Sequence, residues 1–183
     1  MSKKSLLLAA LFVGATQTAN ASDGTISFTG NILDNTCTVT IGSGASADAT
    51  VTLPDISLQA LGTGNTGGAI GFVMNLSSCT GTTKNSVAAF FEDGPNVDYS
   101  TGRLVNTATT DASNVELELF DMNSDKVIKV GDLASQIADN HFATYAASPG
   151  TATLRYGVRY HAPGVTVTKG AVTSSVTYSL MYK

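Results

Sequence analysis

Short segments in which apolar and polar residues alternate recur along most of the chain. The clearest of them are residues 70–76, 115–119, 156–160 and 176–182. A period of two places every second side chain on the same face of a β-strand, so each segment predicts a strand with one apolar face. Glycine-rich stretches at residues 42–49 and 62–68 separate these segments and indicate loops. Such a series of short strands and turns predicts an all-β sandwich.

Weaker patterns complete the predicted elements. Further short strands are predicted at residues 37–41, 51–53, 87–91 and 127–130. The best candidate for a helix is Asp132 to Ala138, which is long enough for one or two turns. No internal repeat and no linker between domains interrupts the pattern, which favours a single domain.

Residues 1–21 carry the features of a secretory signal peptide. Two lysines near the start supply positive charge, and the apolar run at residues 6–13 is too short to span a bilayer as a helix. Ala19-Asn20-Ala21 has the small-residue pattern of a cleavage site, so the mature chain is predicted to begin at Ser22. An N-terminal membrane anchor is the alternative, and the shortness of the apolar run disfavours it.

The charge of the mature chain limits the kinds of partner. Removing the two lysines of the signal peptide from the 10 basic residues leaves 8 against 14 acidic residues, a formal charge of −6. An acidic chain without a cluster of lysine or arginine argues against binding to nucleic acid or to an anionic membrane surface.

No pattern indicates an enzyme, a small-molecule substrate or a cofactor. The only two histidines, His141 and His161, belong to no nucleophile motif such as G-x-S-x-G. A hydrolase triad needs a nucleophile, a base and an orienting group. Glu116 and Glu118 share one face of a predicted strand, and we interpret that face as solvated.

Two further motif matches have plainer interpretations. Gly62 to Gly67 satisfies G-x-G-x-x-G, but a strand pattern follows it where a dinucleotide-binding loop needs a helix. Asp121, Asn123 and Asp125 match the first three ligand positions of a calcium-binding EF-hand loop. Its sixth position is Lys126 in place of glycine, so we predict a polar hairpin turn, with calcium as a minor alternative.

Cys37 and Cys79 are the only cysteines in the chain. An even number of cysteines in an exported chain predicts a disulfide, and here one pairing is possible. Neither histidine stands at a metal-ligand spacing from these cysteines, which disfavours a metal site.

The two ends of the mature chain resemble a known family. The run DGTISFTGNILDNTC, residues 23–37, is similar to the start of chaperone–usher pilins of the type 1 and P-pilus kind. The alternating segment that leads into Cys79 is similar as well. At the C-terminus the resemblance rests on Gly170 at the fourteenth position from the end, the penultimate Tyr182, and Val176, Tyr178 and Leu180 on the same strand face.

This resemblance implies a fold and a way of assembling. The fold is an incomplete immunoglobulin-like sandwich with six strands of its own, formed by residues 34–183, and a groove where a seventh strand is missing. Residues 22–33 form an N-terminal extension that serves as donor strand for another subunit. The implied anchors are Ile26, Phe28 and Ile32, with Gly30 where a side chain does not fit. The groove lies along the C-terminal strand, with Gly170, Val176, Tyr178, Leu180 and Tyr182.

The resemblance also implies the partners and the location of the protein. Its partners are identical or related pilin subunits, a periplasmic chaperone and an outer-membrane usher, with the host surface reached through the assembled fibre. The protein is exported through the periplasm to a fimbrium at the cell surface, where it supports adhesion. The length of the mature chain leaves no room for an added receptor-binding domain, which favours a repeating subunit over a tip adhesin.

Two other classes of protein stay open from the sequence. One is a self-contained secreted immunoglobulin-like binding module, in which residues 26–32 would be the first strand of the chain's own sandwich. The other is a small secreted enzyme on a β-sandwich. Stability as a monomer without the N-terminal segment would indicate the first, and a pocket with converging carboxylates or histidines the second.

Overall fold

The computed structural model describes residues 24–109, 112–146 and 149–183, which fall into two units. The first unit ends at Ile32, and the second comprises Leu33–Lys183. Within the first unit, residues 24–32 form neither helix nor strand, and their side chains are exposed. The predicted signal peptide, residues 1–21, lies outside the described residues.

The described part of the second unit contains ten strands and one short helix. The strands are β1 (Thr36–Ile41), β2 (Thr66–Thr80), β3 (Ser86–Phe91), β4 (Val97–Asp98), β5 (Arg103–Val105), β6 (Glu116–Asp121), β7 (Lys126–Val127), β8 (Ala143–Thr144), β9 (Gly150–His161) and β10 (Tyr178–Tyr182); the helix is α1 (Leu133–Asp139). Six of these strands have five or more residues, and the other four have two or three.

The strands form two antiparallel sheets. The larger sheet has the order β1-β2-β9-β6-β5-β4, with β7 also paired to β6, and the smaller has the order β10-β3-β8. The prediction of an all-β sandwich is therefore confirmed. In both sheets one of the two edges is formed by a terminal part of the second unit, β1 in the larger and β10 in the smaller.

The core lies between the two sheets and contains the apolar residues that the alternation predicted. Leu117, Leu119, Tyr156 and Val158 of the larger sheet are buried against residues of β3 such as Phe91. The Tyr156 hydroxyl accepts a hydrogen bond of 2.9 Å from the backbone N–H of Ala89 on β3, which ties the sheets together. Burial raises the pKa of Tyr156 strongly, so its hydroxyl stays protonated and polar at this central point.

Helix α1 begins one residue later than predicted, because Asp132 is its N-cap. The Asp132 carboxylate accepts a hydrogen bond of 3.0 Å from the backbone N–H of Ser135. Gln136 is the buried residue of the helix: its amide donates to the carbonyl oxygens of Phe91 and Lys129 and accepts from the Phe91 N–H. The helix thereby fixes the end of β3. It is too short to cross a membrane, and the structure contains no membrane-spanning helix among its described residues.

The polar turn predicted after β6 is present. Asp121 ends β6, and its carboxylate accepts hydrogen bonds of 2.8 and 3.0 Å from the backbone N–H groups of Asn123 and Ser124. Its second oxygen accepts one of 2.9 Å from the backbone N–H of His141. The carboxylate of Asp121 is therefore committed to the turn, and β7 follows directly to complete a hairpin.

Several element boundaries differ from the sequence patterns. Strand β10 starts at Tyr178 instead of Val176, because its partner β3 ends at Phe91, which pairs with Tyr178. The predicted strand at residues 127–130 is limited to Lys126–Val127. Strand β2 begins at Thr66, inside the predicted loop of residues 62–68.

The interpretation of Glu116 and Glu118 as a solvated face is wrong, because the Glu116 side chain is only 12% exposed and Glu118 is buried more deeply. That residue is 2% exposed, although its side chain projects from the outer face of the larger sheet. Arg103 on β5 and Arg159 on β9 lie on either side and place a guanidinium nitrogen 2.7 and 2.6 Å from its two oxygens. The long arginine side chains cover the carboxylate, so the face is screened from water by its own ion pairs.

Candidate strand-acceptor groove

One side of β10 has no neighbouring strand among the described residues. Alternate residues of β10 make the hydrogen bonds to β3. The Thr177 carbonyl oxygen accepts from the Glu92 N–H at 2.9 Å, and the Lys183 N–H donates to the carbonyl oxygen of Ser86 at 2.9 Å. In an antiparallel pair the residues between these bonded positions direct their backbone groups to the opposite side. The N–H and C=O groups of Tyr178, Leu180 and Tyr182 therefore point to an open edge.

Strand β1 and the loop after it face this open edge across a groove of about 540 Å³. On one side lie residues Val176 to Tyr182, and on the other Thr36, Cys37 and Val39 of β1 with Ala47 and Asp48. The disulfide between Cys37 and Cys79 joins β1 to β2 at this border, as the two cysteines predicted. The groove is thus bounded by two edge strands that do not pair with each other.

Beside this groove, a second depression of about 360 Å³ reaches into the core. Its floor consists of buried or half-buried apolar residues from both sheets: Phe72, Phe91, Leu104, Leu117, Leu119 and Val158. Its walls are residues 47–53 and residues 174–178. The two depressions share Ala47, Asp48, Val176 and Tyr178, so they are continuous. Apolar surface beside an unpaired strand edge is a template for another strand.

The structure brings together four of the five residues predicted for the groove strand. Val176, Tyr178, Leu180 and Tyr182 are half-buried and line the groove. Gly170 lies elsewhere, in a separate depression of about 240 Å³ that Leu61 and Tyr160 also line. Gly170 has a φ of 151°, and the extended segment that leads to β10 starts after it.

Two tyrosines of β10 line the groove, and the hydroxyl of Tyr178 reaches across it. Tyr178 donates a hydrogen bond of 2.8 Å to the carbonyl oxygen of Ala47. Burial raises the pKa of Tyr178, and the nearby carboxylate of Asp48 raises it further. Burial also raises the pKa of Tyr182, and the backbone of Cys37 offsets part of that rise. Both hydroxyls are therefore protonated at neutral pH.

The predicted donor residues are strongly exposed within the first unit. The exposed fractions are 80% for Ile26, 89% for Phe28 and 104% for Ile32. A Cβ atom added to Gly30 would meet no heavy atom within 4 Å. These residues form no strand in the structure.

Sequence reasoning missed part of the wall of the groove and one residue of its floor. Ala47 and Asp48 were part of a predicted loop, and Leu104 belongs to a strand of three residues that no pattern indicated. The alternation of Val51 and Leu53 was a usable signal, since both side chains are half-buried along the wall. No group of three or more histidine, cysteine or acidic residues that could hold a metal is present among the described residues.

Comparison with known proteins identifies the family. A family model described as FimA, type-1 fimbrial protein, A, matches residues 53–183. The chain belongs to the type-1 fimbrial protein family. The F17 fimbrial protein of Escherichia coli is 37% identical over the full length of both chains. The major fimbrial subunit SMF-1 of Stenotrophomonas maltophilia is also 37% identical, over 94% of this chain and 99% of that protein.

Solved structures show the same fold. A chain from a chaperone–usher pilus has a TM-score of 0.59 at 21% identity. The match covers 88% of this chain and 96% of that chain. The P pilus rod subunit PapA has a TM-score of 0.58 at 19% identity, with coverages of 80% and 99%. The predicted incomplete immunoglobulin-like sandwich is confirmed. The protein is a structural subunit of a bacterial surface fimbria and assembles with other pilin subunits.

Proposed function

We propose that the groove between β1 and β10 receives the N-terminal extension, residues 22–33, of another subunit, and that the fimbria grows by repeating this step. The observation that supports it is that one chain carries both halves of such a joint. Within the described residues it has an apolar groove along a strand edge that no other strand pairs with, and an alternating segment whose apolar side chains are exposed.

The two halves match in length and in pattern. Residues 24–32 comprise nine residues, or about 30 Å when extended at roughly 3.3 Å per residue. The groove-facing positions from Ser174 to Tyr182 also span nine residues. Ile26, Phe28, Gly30 and Ile32 share one face of a strand, so three large side chains enter the groove while the backbone pairs with β10.

The energetics favour a joint that seldom opens. Each large apolar side chain contributes roughly 1.5–3 kcal/mol when it moves from water to a buried site. Backbone hydrogen bonds to the open edge add to this and satisfy groups that otherwise contact water. Because the donor and acceptor surfaces differ, the contact is heterologous and produces an open filament instead of a closed dimer.

The same groove is a hazard for a subunit that has not been assembled. An open edge beside apolar surface favours aggregation, so the subunit needs temporary cover in the periplasm. A periplasmic chaperone that lends a strand to β10 would provide it, and an outer-membrane usher would exchange that strand for the extension of the next subunit. The fibre built in this way supports adhesion of the cell to surfaces.

The test compares the full-length chain with a variant that lacks residues 22–33, both exported with their native secretion partners. Surface material is run unboiled in SDS and examined for ladders of subunit multiples. We expect a ladder for the full-length chain and only monomer for the deletion. A full-length chain that runs as a stable monomer would contradict the proposal and favour a sandwich that is complete by itself.

A further inference from the structure

The groove of the unassembled subunit is bridged from one border to the other. The Tyr178 side chain starts on β10 and its hydroxyl donates to the Ala47 carbonyl oxygen at 2.8 Å, beyond the far end of β1. Tyr178, Ala47 and Asp48 line both depressions, so this bridge stands at the point where the two meet. A continuous strand laid along the groove has to pass it.

A second tyrosine lies toward the C-terminal end of β10. There Tyr182 faces Cys37 of β1 across the groove that both residues line, and the Cys37 backbone offsets part of the rise that burial causes in the Tyr182 pKa. Tyr178 and Tyr182 are four residues apart and therefore project from the same face of β10. We call these two side chains, with the hydrogen bond of Tyr178 to Ala47, the tyrosine latch.

We infer that the tyrosine latch holds the empty groove closed and has to open before a donor strand can enter. The inference rests on the proposed function and concerns how the same groove is regulated. A strand paired with the edge of β10 lies about 4.8 Å from it, in the space that the two tyrosine rings now cross. Its inward side chains and the latch cannot occupy that space together.

The latch has two consequences for the unassembled subunit. It reduces the area of apolar surface that water reaches, and it satisfies the Ala47 carbonyl, which lessens the hazard of the open edge. It also adds the loss of the Tyr178–Ala47 hydrogen bond to the barrier for strand entry. A partner that pulls the tyrosines away from β1 would therefore speed filling, whereas an isolated subunit fills slowly.

The test measures how fast a donor peptide enters the groove. The acceptor is the full mature chain with Phe28→Asp, whose own extension is expected to be unable to fill a groove. The probe is a fluorescent peptide with the sequence of residues 24–33, followed by fluorescence anisotropy. Acceptors carry the native groove, Tyr178→Phe, Tyr182→Phe or both; Tyr99→Phe is the matched control, because Tyr99 is 72% exposed and does not line the groove.

We expect Tyr178→Phe to take up the peptide about threefold to tenfold faster than the native groove, the factor that corresponds to one net hydrogen bond, and Tyr182→Phe to be faster than native by a smaller factor. The double variant is expected to be faster still, and Tyr99→Phe to be unchanged. Once filled, all acceptors should release the peptide at the same rate, because the latch is open in each.

Uptake at equal rates by the native groove and by all variants would overturn the latch and leave the proposed function standing. Faster release from the filled variants would also overturn it, since the hydroxyls would then act in the filled state. Failure of the native groove and of every groove variant to take up the peptide would overturn the proposed function and the latch with it.

Discussion

Glu118 lies at the centre of an ion-pair group on the outer face of the larger sheet. The Nε atoms of Arg103 and Arg159 donate to its two oxygens at 2.7 and 2.8 Å, so each guanidinium makes a two-atom contact. Burial raises the pKa of Glu118, but the hydrogen bonds and positive charges of the two arginines outweigh it and leave the pKa below its ordinary value. Strands β5, β6 and β9 are thereby joined through one carboxylate.

We predict that Glu118→Gln lowers the free energy of unfolding by about 3 kcal/mol, because it leaves two arginines without their counter-charge. This loss is at the low end of the range for breaking a buried ion pair. The two arginine side chains are 22% and 24% exposed, so water can partly solvate them once the carboxylate is gone. The change in the free energy of unfolding is measured by urea unfolding of the subunit with a donor peptide bound in its groove.

Glu116→Gln on the same strand face is the matched control. Burial, which outweighs the attraction of Arg103, raises the pKa of Glu116, so its charge adds nothing favourable to the fold. We expect a change of no more than about 1 kcal/mol. A loss as large for Glu116→Gln as for Glu118→Gln would contradict the assignment of the ion pairs to Glu118.

The two variants should also differ in acid. A carboxylate with a lowered pKa contributes stability that is present above the unfolded pKa, near 4.5 here, and is lost as the pH falls through the folded pKa. Acidification below about pH 4.5 should therefore cost the native chain more stability than it costs Glu118→Gln. If the free energy of unfolding falls equally with pH in the two chains, Glu118 does not titrate as the geometry requires.

Phe28 is the largest of the exposed apolar side chains in the extension, and it tests the donor half of the joint. We predict that Phe28→Asp abolishes the addition of this subunit to the one before it, because a carboxylate would be buried without a partner. Its own groove and fold should be unaffected. The yield of SDS-resistant ladders measures the effect.

Thr29→Asp is the matched control for the donor strand. Thr29 is on the opposite face of the extension, so its aspartate stays in water when the strand is inserted. It should leave the yield of ladders close to native. Fibre formation that is normal with Phe28→Asp, or lost equally with both variants, would count against Phe28 as an inserted anchor.

At the scale of elements, alternation predicted the long strands because their buried face repeats every second residue. Leu117 and Leu119, and likewise Tyr156 and Val158, are buried as the pattern requires. Strands of two or three residues carry too few side chains for a period, so the pattern could not indicate them. The burial of Glu118 was also out of reach, because it depends on Arg103 and Arg159, which lie 15 and 41 residues away.

The candidate groove was predictable in part. Its β10 border follows from a strand at the C-terminus with four groove-facing residues, which the sequence pattern and the family resemblance both indicated. Its opposite border depends on a loop, residues 42–49, whose path is fixed by single hydrogen bonds such as that of the Ile41 N–H to Ser46 at 3.0 Å. Local patterns contain no information about such tertiary contacts, and the Tyr178 bridge depends on them.

The disulfide joins two elements and tests how firmly β1 must be held. Cys37 and Cys79 are separated by 42 residues, and closing a loop of that length contributes about 4 kcal/mol in the chain-entropy model. We predict that replacing both cysteines with alanine lowers stability by about this amount and reduces the quantity of exported subunit. Urea unfolding and immunoblots of the periplasm measure the two effects.

Reduction of the native chain provides the comparison for that variant. Dithiothreitol should destabilise the native chain to the level of the double-alanine chain and should not affect the variant. Normal export of the double-alanine chain, with an unchanged unfolding midpoint, would show that β1 is held by strand pairing alone.

At the scale of the whole molecule, the proposed joint uses two different surfaces, one from each of two copies of the chain. Residues 22–33 are predicted to serve one neighbour, and the groove along β10 the other. An assembly of this kind has direction, because every added subunit consumes one groove and presents a new one. A variant that disables one surface should therefore lose its joint to one neighbour and keep the ability to join the other.

Two complementary variants test the donor surface and the acceptor surface separately. Phe28→Asp retains the groove but cannot donate, whereas Leu180→Arg retains the extension but places a charged side chain in the groove that Leu180 lines. We predict that neither variant forms ladders alone, and that a mixture forms dimers and nothing longer. Each dimer pairs the extension of the Leu180→Arg chain with the groove of the Phe28→Asp chain, which uses up the only intact surface on either chain. Unboiled electrophoresis with one chain carrying a size tag measures this, and ladders beyond the dimer would show that the fibre grows through a surface other than this groove.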